Sequence, residues 1–166
     1  MAQSKDGDAK ARAWRLFLFT HTVLLERIEE TLNAAGLPPL AWYDMLWELE
    51  KAEDGRLRMH EIADRIVLSR SNLTRLADRL EGAGLIRREQ CPGDRRGAYC
   101  ASTQAGREMR RKMWRVYEGQ IEVLFSKHLT VAAAGQMADN FTTMARAAPQ
   151  KPKSSLSPVR PTRKAN

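Results

Sequence analysis

The chain has little cysteine and little histidine, two and three residues in 166, and each scarcity closes off a class of chemistry. Cys91 and Cys100 are too few for a disulfide scaffold, and without a secretory signal they fit a reducing, cytoplasmic setting in which a structural disulfide is not expected. His21, His60 and His128 lie on separate segments with no accompanying ligand cluster, which points to structural or surface roles and to no metal site. No Ser-His-Asp set, carboxylate pair or glycine-rich phosphate loop stands at a useful spacing, so neither an enzyme nor a cofactor is expected. There are no internal repeats. A membrane-length apolar run is missing too, because the first apolar stretch, WRLFLFTHTVLL at 14–25, is interrupted by Arg15 and His21.

What is present is enough apolar content, 43%, to bury a core without metal or disulfide staples. The net charge is +8, yet five of those charges, Lys151, Lys153, Arg160, Arg163 and Lys164, sit in an acid-free Pro-, Ser- and Lys-rich stretch after Pro149. That composition cannot bury a core. What matters for nucleic acid is where the remaining charge gathers.

Apolar periodicity predicts a loose start at 1–10 and then a helix over 11–35, with Trp14, Phe17, Leu18, Leu24, Leu25, Ile28 and Leu32 at three- and four-residue steps and Gly36 as its stop. A second helix is expected over about 39–50, and a brief third over 60–66 whose start lacks the usual Ser or Thr cap. Ser69 then caps a helix over 70–84, with Leu73, Leu76, Ala77 and Leu80 on one face and Ser71, Thr74, Arg75 and Asp78 on the other, Asn72 beside them. Two strands, LIRREQC and AYCAST, flank the turn PGDRRG. Thr103 caps a long helix to about 128, and a last helix spans about 130–147.

Two short helices across a tight turn, the second opening with small polar residues and Arg, make a helix-turn-helix signature, since small side chains let a helix end approach base edges. The Arg-tipped hairpin that follows completes a winged helix-turn-helix. A helix fits the major groove, and a narrow Arg-bearing tip suits the negative potential of the minor groove. Basic charge is concentrated here, with Arg70, Arg75, Arg79, Arg87, Arg88, Arg95 and Arg96 against Asp78, Glu81, Glu89 and Asp94. Arg79, Arg87 and Arg88 are expected as phosphate clamps or intramolecular partners, and Arg95 in either of two roles, clamp or base reader.

SNLTRLADRLEGAGLI, the wing GDRRG and the STQAG before the long helix resemble the MarR family of bacterial transcriptional regulators. The resemblance runs from about residue 40 to 109 and implies a mainly α fold: a winged helix-turn-helix with a small β-hairpin wing and long N- and C-terminal dimerisation helices. It divides the chain into a flexible 1–10, a domain over 11–148 (winged helix-turn-helix about 39–102, dimerisation helices 11–35 and 103–148) and a disordered basic tail, 149–166. It puts Arg70, Ser71, Asn72, Thr74 and Arg75 at the major groove, and Arg96 in the minor groove with Asp94 orienting the tip. The function it implies is a ligand-responsive repressor of operator DNA.

The family is an intertwined homodimer, and the residues agree: Phe17, Phe19, Val23, Ile121, Leu124, Phe125, Leu129, Met137 and Phe141 need partners that one small winged domain cannot supply. A two-fold dimer implies a pseudo-palindromic double-stranded operator. The resemblance also implies a small aromatic or phenolic effector between the dimer helices and the winged domain, where Trp14, His21, Trp42 and Tyr43 are the candidate contacts. Core packing accounts for Trp14, Trp42 and Tyr43 equally well.

A hairpin turning around Arg95 and Arg96 would set Cys91 and Cys100 nearly opposite one another. The alternatives are therefore a redox-responsive regulator acting through a Cys91–Cys100 bridge, or a dimeric small-molecule-binding or interaction protein without specific DNA readout. The thiols are expected to be incidental, and intact Arg75, Asp94 and Arg96 favour DNA readout.

Overall fold

The computed structural model describes residues 5–66, 70–91 and 94–147, with side chains described throughout except at residues 5, 6, 70, 91 and 94–97. Element order is α1 (Lys5–Ala34), α2 (Leu40–Lys51), β1 (Arg56–Arg58), α3 (Met59–Arg65), α4 (Arg70–Gly82), β2 (Ile86–Cys91), β3 (Asp94–Ser102), α5 (Gln104–Leu124), a 3-10 turn (Ser126–His128) and α6 (Val131–Ala147). The mainly helical winged fold expected from the sequence is the one observed. None of the described helices is long and apolar enough to cross a membrane. The tail expected after residue 148 lies outside the described residues.

Two glycines end helices in the same way. Gly36 and Gly84 take positive φ (67° and 70°), and in each case the next residue reaches back five positions, Leu37 N–H to Leu32 O and Leu85 N–H to Leu80 O, both at 2.9 Å. These Schellman closures satisfy carbonyls a straight helix end would leave open, and they turn the chain sharply. The second aims β2 back along α4.

The core has two centres. Met45, Leu46, Leu49, Leu57, Ile62, Leu73, Leu76, Ala77, Leu80, Leu85, Ile86 and Cys100 pack under the helix-turn-helix and wing. Leu32, Leu40, Tyr43 and Met113 form a smaller cluster among α1, α2 and α5. α2 contributes to both, and partly buried Trp42 packs against each.

Four expectations need correction. The loose start shortens, because the helix begins at Lys5 rather than residue 11: no proline stands in its way, and Asp8 in the first turn complements the dipole. The segment 56–58 is a third strand, giving the antiparallel order β1-β3-β2. The uncapped start of α3 is resolved by Glu61, whose carboxylate accepts the Arg58 N–H at 2.7 Å. The long helix stops at Leu124, where Phe125 leaves helical geometry (φ −132°, ψ −63°) before the 3-10 turn.

The strand register also separates the cysteines. Cys100 faces Arg88, whereas Cys91 faces Asp94 across a bulge at Gln90/Cys91. The strands reverse between Cys91 and Asp94 rather than around Arg95 and Arg96, so the cysteines stand about 10 Å apart along the hairpin, beyond disulfide reach. Cys100 is fully buried, and burial pushes its thiol above the ordinary range, which disfavours the nucleophilic thiolate. The Cys91–Cys100 redox alternative therefore loses its geometry.

Candidate nucleic-acid interface

α4 is a helix with two sharply different faces. Leu73, Leu76, Ala77 and Leu80 are at most 2% exposed and lock it onto the larger core. Ser71, Asn72, Thr74, Arg75, Asp78 and Arg79 are all exposed, and Asn72, Arg75, Asp78 and Arg79 line a shallow surface groove. The burial of the leucine face leaves this polar strip one orientation, outward. Arg79 Nε donates to the Arg75 carbonyl at 3.4 Å, which holds the Arg79 side chain back along the helix. Arg70 opens the helix and Asp94, Arg95 and Arg96 open β3, but their side chains lie outside the described ones, as does the expected Ser69 cap.

The wing is tied to α4 by a cation. Ile86 is 2% exposed, and Arg88, two residues on, points to the same side of the strand, so its charge must find partners at the helix. Its Nη2 lies 2.5 Å from Asp78 Oδ1 and its Nη1 2.9 Å from Glu81 Oε2, while its backbone N–H donates to Glu81 Oε1 at 3.1 Å. The hydrogen bond to Asp78 raises the guanidinium above its ordinary range. Of the two roles open to Arg88 from sequence, the intramolecular one is observed.

The other sheet face is basic and aromatic. Arg56 and Arg58 lie over the Tyr99 ring at 4.8 and 5.2 Å. Arg56 and Arg87 both reach Glu89, at 3.3 and 2.7 Å, and the hydrogen bonds from Arg87 and then Arg56 hold its carboxyl below the usual range. Sequence reading passed over Arg56 and Arg58 because a three-residue strand shows no alternation to detect.

Thr103 and Gly106 fix where α5 leaves the wing. The Thr103 hydroxyl accepts the Gly106 N–H at 3.1 Å and donates to Gly84 O at 2.7 Å, and the Thr103 N–H donates to Leu85 O at 3.0 Å. One side chain thus caps α5 and pins it to the α4–β2 turn.

The four candidate effector contacts fall into two places. Trp14 and His21 line an apolar cleft of about 800 Å3 between α1 and α6, with Phe17, Leu24, Phe125 and Phe141. Tyr43 and Trp42 belong instead to α2. Tyr43 is 5% exposed and lies between Trp47 and Trp114, at centroid distances of 6.2 and 5.9 Å, with Tyr117 edge-on at 5.3 Å. Burial lifts its phenol to about 12, against the pull of the neighbouring Arg110. Arg110 caps this stack, 5.0 Å over Trp47 and paired with Glu50 at 2.5 and 3.2 Å. The buried Trp42 Nε1 finds no acceptor among the described residues.

Residues 35–97, spanning α2 to the wing, match the sequence profile of the MarR family. The Escherichia coli transcriptional repressor MprA is 31% identical to this chain over 99 residues, 60% of the chain and 56% of the repressor. The chain thus spans about half the length of the curated relatives it matches. AbsC, a MarR family transcriptional regulator from Streptomyces coelicolor, superposes with TM-score 0.77 at 27% identity, covering 88% of this chain and 96% of AbsC. A second such regulator from that organism, solved in complex with DNA, gives TM-score 0.81 at 24% identity, covering 91% and 92%.

Proposed function

We propose that this chain is a MarR-family homodimeric repressor that binds a pseudo-palindromic double-stranded operator and is released by a small aromatic or phenolic molecule. One observation carries the reading: α4 turns a continuous strip of Ser71, Asn72, Thr74, Arg75 and Arg79 outward beside a wing. The likeness to a DNA-bound regulator supports it. In this reading α4 enters the major groove with Arg70 at its start, and the wing, carrying Asp94, Arg95 and Arg96, follows the adjacent minor groove. α1 and α6 pair with those of a second copy, because Phe19 (67%), Trp14 (59%) and Met144 (61%) are exposed and no described residue of α6 is buried. The effector would lie where the α2–α5 aromatic stack meets Trp42, whose unpartnered N–H offers a donor to a carboxylate or phenolate. The cytoplasm is the compartment in which such a repressor acts.

The test is a titration against a duplex flanking the chain's own gene and a shuffled duplex of equal length, at two salt concentrations. Selective binding that weakens but persists at the higher salt is expected; equal binding that collapses with salt would refute operator recognition. Arg75→Ala is expected to lose about 1–3 kcal/mol of binding and to relax base preference. Retention of both affinity and preference would remove Arg75 from the interface.

A further inference from the structure

We propose that Arg88 is a positioning residue for DNA binding, one that holds the wing to α4 while masking two carboxylates that would otherwise repel the phosphate backbone. This rests on the DNA-binding reading above. The groove of Asn72, Arg75, Asp78 and Arg79 contains an acid, Asp78, among the residues offered to DNA. Like charges facing one another across an interface suppress association. Arg88 answers that charge from the wing side, forking between Asp78 and Glu81 while its own N–H binds Glu81. The guanidinium is committed to these two acids on the side of β2 that faces the helix, so its charge works by cancelling theirs rather than by gripping phosphate.

The ion pairs are largely open to solvent, with the side chains 32%, 55% and 37% exposed for Arg88, Asp78 and Glu81. Pairs this exposed add little to folding. Their effect is therefore expected in binding and not in melting temperature. A shared fork also fixes the distance between the major-groove helix and the wing, which must enter neighbouring grooves together.

The experiment compares the parent chain, Arg88→Ala, and the triple variant Arg88→Ala/Asp78→Asn/Glu81→Gln on the two duplexes described above. Arg88→Ala is expected to melt within a few degrees of the parent yet bind about tenfold more weakly, from the uncovered acids. The triple variant is expected to recover most of that loss, which a purely structural residue would not allow. Arg88→Gln, which keeps a donor but not the charge, carries the same comparison should the alanine variant fail to fold. An undiminished affinity in Arg88→Ala would overturn the proposal. So would a triple variant as weak as the single one, which would show that the uncovered acids have no part in the loss. A parent chain that binds neither duplex defeats the DNA-binding reading itself, and this inference with it.

Discussion

Gly106→Ala is expected to cost about 3 kcal/mol or more, at the upper end of what overpacking a tight site costs, and to lower the melting temperature by many degrees. A Cβ at this position would press into the Leu85 carbonyl, with Ser102 Oγ at 2.8 Å and Leu46 Cδ2 at 3.1 Å. The carbonyl is backbone and already accepts the Thr103 N–H, so it has no free direction in which to retreat. Relief would require α5 to lift off the α4–β2 turn, opening the Thr103 cap and exposing the larger core. Gly119 on the same helix is the control. It has open space around it, and Gly119→Ala is expected to be neutral or to stabilise by up to about 1 kcal/mol from helix propensity alone. Calorimetric melting of both variants checks the pair. Equal melting temperatures would mean that the close approach at Gly106 is not what holds α5 in place.

In the homodimer proposed above, Phe17→Glu combined with Phe141→Glu is expected to convert dimer to monomer. The two rings meet at 5.4 Å across the α1–α6 cleft and remain 42% and 39% exposed, so each is half-covered by its own chain and half-available to another. Carboxylates there would have to be buried unpaired in any assembled interface. Operator affinity should then fall by roughly a hundredfold or more, because two half-sites would no longer be held by linked reading heads. Sedimentation measures the first effect and the duplex titration the second. A double variant that stays dimeric would place the contact between copies elsewhere.

The fold was legible wherever periodicity ran long enough. α4 showed itself through four leucine-face residues in register and the glycine turn after them, and α5 through its Thr103 cap, which accepts the Gly106 N–H as the STQAG stretch suggests. The sequence hid what depends on pairing between distant segments. β1 is three residues long and becomes a strand only because Leu57 sits opposite Cys100. The hairpin could reverse at its Pro-Gly or at its Arg-Arg, and choosing wrongly shifts the partner of every later residue, which is why Cys91 and Cys100 read as opposite. The Arg88 fork needed strand register and helix phase at once. Aromatic spacing likewise gave the helices of Trp14 and Tyr43 but not that one lines an open cleft and the other lies inside a stack.

α2 has a consequence for how this molecule falls apart. Its Met45, Leu46 and Leu49 anchor the cluster beneath the wing, while Leu40 and Tyr43 anchor the cluster against α5. Neither half keeps its interior if that one helix frays, so heat or denaturant should take both down together in a single cooperative transition. The amides of α2 would then be the last to exchange with deuterium, opening only when the whole chain does.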